Sequence, residues 1–251
     1  MSRTPGERPK YRGVADDLRE RIQAGEFDAD RKLPSERKLA ERYGMHPMTI
    51  RQALAVLRDE GLLESRVGSG WHLAEWRPIV RNALKRLYPD QWGEARSMWE
   101  VDIEGRRMQV DDLTVQLARV PDDVARVLEV EEGLKVWIRD RRYLVDSVPV
   151  MRATAYIPDE FARGTRITEL DTGDGGVYER LREAGHGPLG FSEQVRCRLA
   201  VSREVDDLSL PAGAPVIEQH RSAKRPDGRV VEVSRMILDA SKFLLVYDYK
   251  G

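Results

Sequence analysis

Two arginines, Arg139 and Arg141, stand two residues apart in a segment whose pattern predicts a β-strand over residues 134–145. Because side chains alternate along a strand, both arginines would share one face with their aromatic neighbours Trp137 and Tyr143. Two guanidinium groups about 7 Å apart can grip a carboxylate or a phosphate. The segment therefore predicts an anion-binding site. A ladder of surface ion pairs across the sheet is the alternative that the pattern leaves open.

The other reactive side chains do not indicate a catalytic site. The four histidines, His46, His72, His186 and His220, are scattered, and the sequence has no Ser/His/Asp or metal-ligand spacing. The single cysteine, Cys197, lies in a strand pattern and is expected to be a small buried apolar residue rather than a redox switch. We therefore expect no metal and no cofactor. An enzyme is the rival class of protein, and turnover of candidate ligands would identify it.

A second group of arginines could contact DNA. Arg51 lies near the start of a predicted helix, the part of a recognition helix that meets base edges. That helix opens at Pro47, whose missing N–H costs nothing at a first helical position, and the helix before it opens at the N-cap Ser35. The predicted elements are helices at 11–25, 35–44 and 47–61 and a hairpin around 67–70. This order predicts a winged helix-turn-helix.

From about Met98 the pattern changes to strands with occasional helices. Strands are expected at 107–119, 134–145, 149–157, 190–201, 214–224, 229–238 and 243–249, and helices at 121–129, 176–184 and 203–209. The stretches 137–158 and 217–239 both read strand, turn, strand, which predicts a pseudo-two-fold layout of the sheet. The fold class is therefore α+β, with an N-terminal winged helix-turn-helix and a C-terminal, mainly antiparallel sheet domain with helices.

These patterns divide the chain into four segments. They are a disordered lead-in at 1–10, a winged helix-turn-helix at 11–75, a linker at 76–96 and a C-terminal domain at 97–251. Within the linker, a short amphipathic helix is expected around Val80, Leu84 and Leu87, ended by Pro89.

The composition is that of a soluble globular protein. The chain has 251 residues, a net charge of -1 and one cysteine, which excludes a disulfide framework within the chain. Because the net charge is not basic, DNA binding must come from the local placement of arginine. There is no run of 18 apolar residues and the N-terminus is polar, so we expect a cytoplasmic protein without a membrane span.

The N-terminal segment closely resembles the DNA-binding domain of the GntR family. The matching pieces, in the family's order and spacing, lie at 33–37, 39–40, 49–54, 61–63 and 68–70. The resemblance implies that Arg37 and Arg51 touch DNA, where arginine is suited to bidentate contact with guanine. Pro47 stands where the family often has a second arginine, and His46 could partly substitute for it.

The DNA-binding residues expected from this resemblance lie at two helix starts and in the wing. Ser35 and Thr49 could bond phosphates, and Gly70 would let the wing backbone approach the DNA. The full set is Ser35, Arg37, Lys38, His46, Thr49, Arg51, Gln52 and Gly70. The alternative is that these side chains only solvate a helix surface.

Residues 98–250 look like the UTRA effector-binding domain of the HutC-type branch, which has a chorismate-lyase-like fold. Short matching pieces occur in the same order at 120–124, 139–141, 155–158, 177–181, 210–213 and 227–232. The resemblance implies an effector-binding and dimerisation domain. Its effector-binding candidates are Arg139, Arg141, Tyr178, Glu232 and Ser234.

The chain departs from the sugar-phosphate-sensing relatives at Ala153, Gly176 and Leu238. Loss of sugar-facing groups there argues against simple transfer of an amino-sugar phosphate ligand. The resemblance implies a transcription regulator, expected to be a repressor, that binds an inverted-repeat operator as a homodimer and responds to a small effector bearing a carboxylate or phosphate. The alternative is a DNA-binding regulator whose C-terminal domain only dimerises and binds no effector.

Overall fold

The structure of the protein is a computed structural model that describes residues 9–74, 78–82, 87 and 106–248. The chain forms two compact units that divide between Ala74 and Pro78. Of the expected lead-in at 1–10, residues 1–8 lie outside the described residues. Among the described helices, none is long and apolar enough to cross a lipid bilayer.

The N-terminal unit has the predicted order of three helices and a hairpin. Its elements are α1 (Lys10–Gln23), α2 (Glu36–Tyr43), α3 (Pro47–Asp59), β1 (Leu63–Arg66) and β2 (Gly70–Leu73). The two strands pair antiparallel, with Leu63 opposite Leu73. This arrangement confirms the predicted winged helix-turn-helix.

Local sequence signals account for the helix ends. Ser35 caps α2, because its Oγ accepts a hydrogen bond from the backbone N–H of Lys38 at 3.4 Å. Gly44 ends α2 in the left-handed conformation that glycine adopts without strain. Pro47 opens α3, as predicted. The apolar stripes of the three helices meet in one core, whose fully buried members include Leu18, Leu39, Ile50, Leu54 and Leu57.

The C-terminal unit is a sheet domain with short helices. Its elements are β3 (Ile79–Asn82), β4 (Met108–Arg119), α4 (Asp122–Leu128), β5 (Lys135–Val145), β6 (Val148–Pro158), α5 (Asp159–Ala162), a 3₁₀ turn (Arg166–Thr168), α6 (Gly176–Glu183), β7 (Gly190–Leu199), α7 (Ser202–Leu208), β8 (Pro215–Lys224), β9 (Val230–Asp239) and β10 (Phe243–Val246). All of the predicted strands and helices of this domain are present. The sequence analysis did not identify β3, α5 or the 3₁₀ turn.

Six strands form one antiparallel sheet in the order β4-β5-β6-β9-β8-β7. Exchanging the two halves, β4-β5-β6 and β7-β8-β9, leaves this order unchanged, and β6 pairs with β9 at the centre. The connection from β4 to β5 contains α4, and the equivalent connection from β7 to β8 contains α7. The predicted pseudo-two-fold layout is therefore confirmed.

The two faces of this sheet are covered differently. Residues of α4 and α7 pack in apolar clusters on one face, with Tyr156 and Val216 of the sheet among their neighbours. On the other face, α5 and α6 pack against Ala155. The strands β3 and β10 pack on that same face, against Ala153 and Met236. The second face has the candidate effector residues described below.

Two expectations from the sequence are wrong. Val80 lies in β3 rather than in a helix, because Ile79–Asn82 pairs in parallel with β10 and so gains backbone partners from a distant segment. Part of the expected linker thus belongs to the C-terminal unit, while Leu84 and Pro89 lie outside the described residues. Cys197 is exposed, not buried, because β7 is an edge strand of the sheet.

Candidate functional site

One carboxylate ties together the three elements of the candidate DNA-binding surface. Glu36, in the first turn of α2, accepts a hydrogen bond from Arg51 Nε of α3 at 2.6 Å and one from Trp71 Nε1 of β2 at 3.2 Å. The Arg51 side chain is 63% exposed. The bond to Glu36 uses only Nε, and among the described residues no acceptor is bonded to either Nη group. Arg51 is therefore oriented while its donor fork faces solvent.

The first turn of α2 presents two more cationic side chains. Arg37 is exposed, with its Nε 3.7 Å from Glu41 Oε1, and Lys38 is exposed beside it. The Ser35 hydroxyl oxygen accepts from the Lys38 backbone N–H, so its proton stays available for donation. The N-terminus of a helix favours negative charge, so this turn is suited to hold a phosphate.

His46 is the N-cap of α3 and not an isolated surface histidine. Its Nδ1 accepts a hydrogen bond from the backbone N–H of Met48 at 3.2 Å. A neutral imidazole whose Nδ1 accepts must carry its proton on Nε2, which makes Nε2 a donor pointing away from the cap. Gln52 is exposed on the same helix, whereas Thr49 is half-buried.

The wing depends on glycine conformation at its tip. Gly70 has φ of +88°, and a Cβ built there would meet no atom within 4 Å. The positive φ, not a lack of space, therefore requires glycine. Val67, at the same tip, is fully exposed. The eight DNA-binding candidates thus lie on α2, α3, their caps and the wing of one compact unit.

Four of the five effector-binding candidates line one cavity of about 260 Å³ in the C-terminal unit: Arg139, Arg141, Tyr178 and Glu232. The fifth, Ser234, does not line the cavity, but its Oγ donates to Glu232 Oε1 at 2.7 Å. The structure therefore brings these five residues together from β5, α6 and β9.

Arg139 holds the loop at 167–170, whose last residue, Leu170, lines the cavity. Its Nη1 donates to the carbonyl oxygen of Ile167 at 2.7 Å and to that of Glu169, and its Nη2 donates to the carbonyl oxygen of Leu170 at 2.9 Å. Burial, together with the nearby charge of Arg141, lowers the pKa of Arg139 to about 10. Because its Nη groups are already bonded to the backbone, Arg139 positions the loop.

Arg141 is the cation that the cavity leaves available. Its guanidinium lies over the Tyr143 ring, 5.5 Å from the ring centroid. Among the described residues it has no hydrogen-bond acceptor or salt-bridge partner, and its Nε is buried. An anionic group in the cavity would supply the acceptors that this arginine lacks.

Arg221 is a cavity residue that the sequence analysis did not select. It is 2% exposed and lies over the Tyr178 ring. Burial opposes its charge, but Tyr178, Glu232 and Glu193 hold its pKa above the ordinary value. A signal was available, since Arg221 is the counterpart of Arg141 in the second half of the pseudo-repeat.

The strand register shows why the cavity has room. Arg139 pairs with Ala155, Ala155 with Ser234, and Ser234 with Arg221. With strands about 4.8 Å apart, the two arginines lie about 14 Å apart at their Cα atoms. The small side chains between them leave space above the floor of the sheet.

A glycine-rich loop and the start of α6 form another wall. Gly173, Gly175 and Gly176 all have positive φ and all line the cavity. Gly175 is the N-cap of α6 and provides no side-chain cap bond. Asp171 also lines the cavity, and its pKa lies below the ordinary value because the Gly173 backbone N–H donates to it and Arg166 lies nearby.

The three positions that depart from sugar-phosphate-sensing relatives have different surroundings. Gly176 lines the cavity. Ala153 and Leu238 are buried in the apolar cluster that also contains Met236, and neither lines the cavity. These two positions therefore contribute packing and no polar group.

Cross-strand ion pairs, the alternative interpretation of the arginines, are present on the opposite face of the sheet. There Arg142 donates through Nε and Nη2 to both carboxylate oxygens of Asp111, each at 2.8 Å, and Arg152 pairs with Asp140. Arg139 is 1% exposed and bonds to backbone carbonyl oxygens, so it is not part of a surface ladder.

Two family models match the chain. The model described as bacterial regulatory proteins, gntR family, matches residues 10–73, and the UTRA domain model matches residues 104–243, more than half of the chain. The first range contains the candidate DNA-binding surface, and the second contains every candidate effector residue.

Curated relatives align over nearly the whole chain. The uncharacterized HTH-type transcriptional regulator SCO4628 of Streptomyces coelicolor is 29% identical over 96% of this chain and 93% of its own length. The HTH-type transcriptional repressor NagR of Bacillus subtilis is 25% identical over 95% of this chain and 94% of its own length. Both are described as transcriptional regulators, which supports the expectation that this chain is not an enzyme.

A solved structure with the same fold is that of PhnF from Mycobacterium smegmatis. It superposes with a TM-score of 0.59 at 21% identity, covering 92% of this chain and 99% of PhnF. At this identity the likeness supports the two-unit fold and nothing finer.

Proposed function

The chain belongs to the GntR family of DNA-binding transcription regulators, in the branch with a UTRA domain, and we propose that it is a cytoplasmic repressor whose operator affinity is set by a small anionic effector. The effector would bind in the cavity of the C-terminal unit. The observation that supports this most directly is the guanidinium of Arg141 in that cavity, whose Nε is buried without a hydrogen-bond partner among the described residues.

In this proposal, the surface of α3 recognises the base sequence of the operator. Arginine can donate two parallel hydrogen bonds to guanine O6 and N7, and such a pair is worth about 1–3 kcal/mol of discrimination. Arg51 is suited to this because Glu36 fixes its Nε and leaves the Nη fork exposed. Ser35, Arg37 and Lys38 would contact the phosphate backbone and set the register of the protein on the duplex.

The cavity chemistry favours an anion at one end. Arg141 offers a guanidinium with no acceptor among the described residues, and the first turn of α6 lines the same cavity through Gly176, Val177 and Tyr178. A helix N-terminus and an arginine together are suited to hold a carboxylate or phosphate.

The cavity chemistry also favours an effector that donates hydrogen bonds. Glu232 is 2% exposed and its Oε1 is bonded to Ser234. Its Oε2 has no hydrogen-bond partner among the described residues, although Glu232 interacts with the charge of Arg221. Leaving a buried carboxylate oxygen unsatisfied costs free energy, which a hydroxyl or amino group of the effector would offset. We therefore favour an anionic effector that has at least one hydroxyl or amino group.

The protein would act as a homodimer on an inverted repeat. Two recognition helices one DNA turn apart read two half-sites, so protein symmetry is mirrored in the operator. An effector that binds one arrangement of the dimer more tightly shifts the population and changes operator affinity. The second candidate is a regulator whose C-terminal domain only dimerises. Ala153 and Leu238 favour it, because both are buried in an apolar cluster and offer no polar group to an effector.

Selection of bound DNA from a random pool, at near-physiological salt, tests the first half of the proposal. An enriched inverted repeat is expected, and recovery of no sequence preference would contradict it. A thermal-shift screen of small carboxylates and phosphates follows, and each hit is tested for its effect on operator affinity. If no compound that binds the protein changes its affinity for the operator, the second candidate, a C-terminal domain that only dimerises, is favoured.

A further inference from the structure

A completely buried arginine lies in β3, the first strand of the C-terminal unit. Arg81 is 0% exposed. Its Nη1 donates to Gln219 Oε1 of β8 at 2.9 Å, and its Nη2 lies 3.5 Å from the sulfur of Met236 in β9. Its guanidinium also lies over the Phe243 ring of β10, 6.0 Å from the ring centroid. Arg81 therefore contacts three strands that are distant in the chain.

Packing alone does not require an arginine at this position. Removing a guanidinium from water is costly, and apolar side chains of similar volume are often as stabilising at buried sites. What arginine adds is direction, because its planar fork fixes where the acceptor must stand. Arg81 thus fixes the position of β3 relative to β8 and β9, in addition to packing against them.

The partners of Arg81 belong to the cavity face of the sheet. Gln219 lies two residues before Arg221 on β8, and side chains two residues apart share a face. The strand register runs from Arg141 to Ala153, from Ala153 to Met236, and from Met236 to Gln219. Gln219 and Met236, which contact Arg81, therefore lie in the same cross-strand row as Arg141 of the cavity.

β3 also follows the DNA-binding unit closely in the chain. Only three residues separate Ala74 of that unit from Pro78, which directly precedes β3. We propose that Arg81 is a positioning residue that couples occupancy of the effector cavity to the segment leading from the DNA-binding unit. An effector that moves the Arg141 row would move Gln219 and Met236, and Arg81 would transmit that shift to β3. This inference rests on the proposed function.

Because coupling between two binding sites is reciprocal, DNA can serve as the probe before the effector is known. If effector binding changes operator affinity through Arg81, then operator binding changes the cavity through Arg81. The cavity loop, residues 170–178, offers backbone amides whose hydrogen exchange reports that change.

The experiment compares amide hydrogen exchange of the full-length protein alone and bound to the duplex recovered by selection. In the wild-type protein, DNA is expected to change exchange at residues 170–178 by a factor of about 5 or more, the lower end of measured couplings. In Arg81→Met, the protein should still bind the duplex, but this change at the cavity loop should be lost. A purely structural role for Arg81 would instead lower the unfolding midpoint and leave the DNA-induced change intact.

Two further variants make the result decisive. Arg142→Met removes an arginine from the opposite face of the same strand that holds Arg141, and it should keep the DNA-induced change. Gln219→Glu keeps an acceptor for Arg81 and adds a charge, so it should keep or enlarge the change, and it serves as the test if Arg81→Met does not fold.

Loss of the DNA-induced change in Gln219→Glu, its persistence in folded Arg81→Met, or its absence from the wild-type complex would each overturn the inference. If selection enriches no duplex at all, the proposed function itself fails and the inference falls with it.

Discussion

Arg51 Nε donates to Glu36 Oε2 at 2.6 Å, which links the recognition helix to the first turn of the helix before it. The bond leaves an acidic side chain within the surface that we propose contacts DNA. In that proposal the carboxylate restrains the arginine and also repels the phosphates. These two effects can be separated experimentally.

Arg51→Ala should relax sequence discrimination at one base pair of each half-site. The expected loss is about 1–3 kcal/mol, the value of a bidentate arginine–guanine contact. Competition binding with operators substituted at single positions measures it. Arg58→Ala is the matched control, because Arg58 is exposed at the other end of α3 and pairs with Asp59. Equal discrimination by wild type and Arg51→Ala would remove Arg51 from the base-reading residues.

Glu36→Gln should increase affinity for DNA of unrelated sequence and reduce the preference for the operator. One negative charge is removed near the phosphates, while Arg51 loses the ion pair that orients it. Fluorescence anisotropy with operator and scrambled duplexes, repeated over a range of salt concentrations, gives both quantities. If the preference for the operator rises, the carboxylate is not what orients Arg51.

Gly70→Ala should destabilise the N-terminal unit by about 1–2 kcal/mol, the cost of placing a side chain in the left-handed region. The strain arises from φ of +88°, since a Cβ there meets no atom within 4 Å. Gly13→Ala is the comparison, because Gly13 lies inside α1, also with free space, and alanine favours a helix. Urea unfolding of the two variants should show shifts of opposite sign.

Stability should depend on acid through Arg198, which donates to Glu204 and Glu218. The hydrogen bonds from Arg198 hold the pKa of both carboxyls below the ordinary value of 4.5. Groups with a lowered folded pKa stabilise the protein above their unfolded pKa, and this contribution is lost as pH falls through the lower folded values.

The free energy of unfolding of the C-terminal unit should therefore fall below about pH 4.5, and Arg198→Met should show a smaller fall. Urea titrations at several pH values test this. Arg203→Met serves as the control, because Arg203 is an exposed arginine of α7 at 3.6 Å from Asp207. If the free energy of unfolding of Arg198→Met falls as much below pH 4.5 as that of the wild type, other groups cause the fall.

Arg139 and Arg141 should differ when each is replaced by methionine. Arg141→Met should abolish thermal stabilisation by any anionic compound found in the ligand screen, with an unchanged unfolding midpoint in its absence. Arg139→Met should lower that midpoint and increase hydrogen exchange at residues 167–170, because it releases three carbonyl oxygens. Identical behaviour of the two variants would contradict the division of roles.

Local signals predicted the N-terminal unit well. Caps at Ser35 and Gly44, Pro47 at a helix start and a glycine-rich wing are each determined by neighbours in the chain, so the sequence displays them directly. The strands of the C-terminal unit were also visible, because a half-buried strand alternates in polarity.

The features that escaped prediction depend on distant partners. The segment Ile79–Asn82 looks like part of a helix until β10 is placed beside it. The hydrogen bonds from Arg139 to the carbonyl oxygens of the 167–170 loop were likewise not predicted, and its role toward an effector stays a prediction. No local pattern indicates either pairing, because each joins segments separated by many residues.

The pairing of β3 with β10 also has a consequence for synthesis on the ribosome. Asn82 bonds to Asp248, 166 residues later in the chain. Among the described residues, those that form the core of the DNA-binding unit end at Leu73. Since domains fold largely in the order in which they emerge, this unit can fold while β3 still lacks its neighbour. A nascent or prematurely terminated chain would then have a folded winged helix-turn-helix before β10 is available to pair with β3.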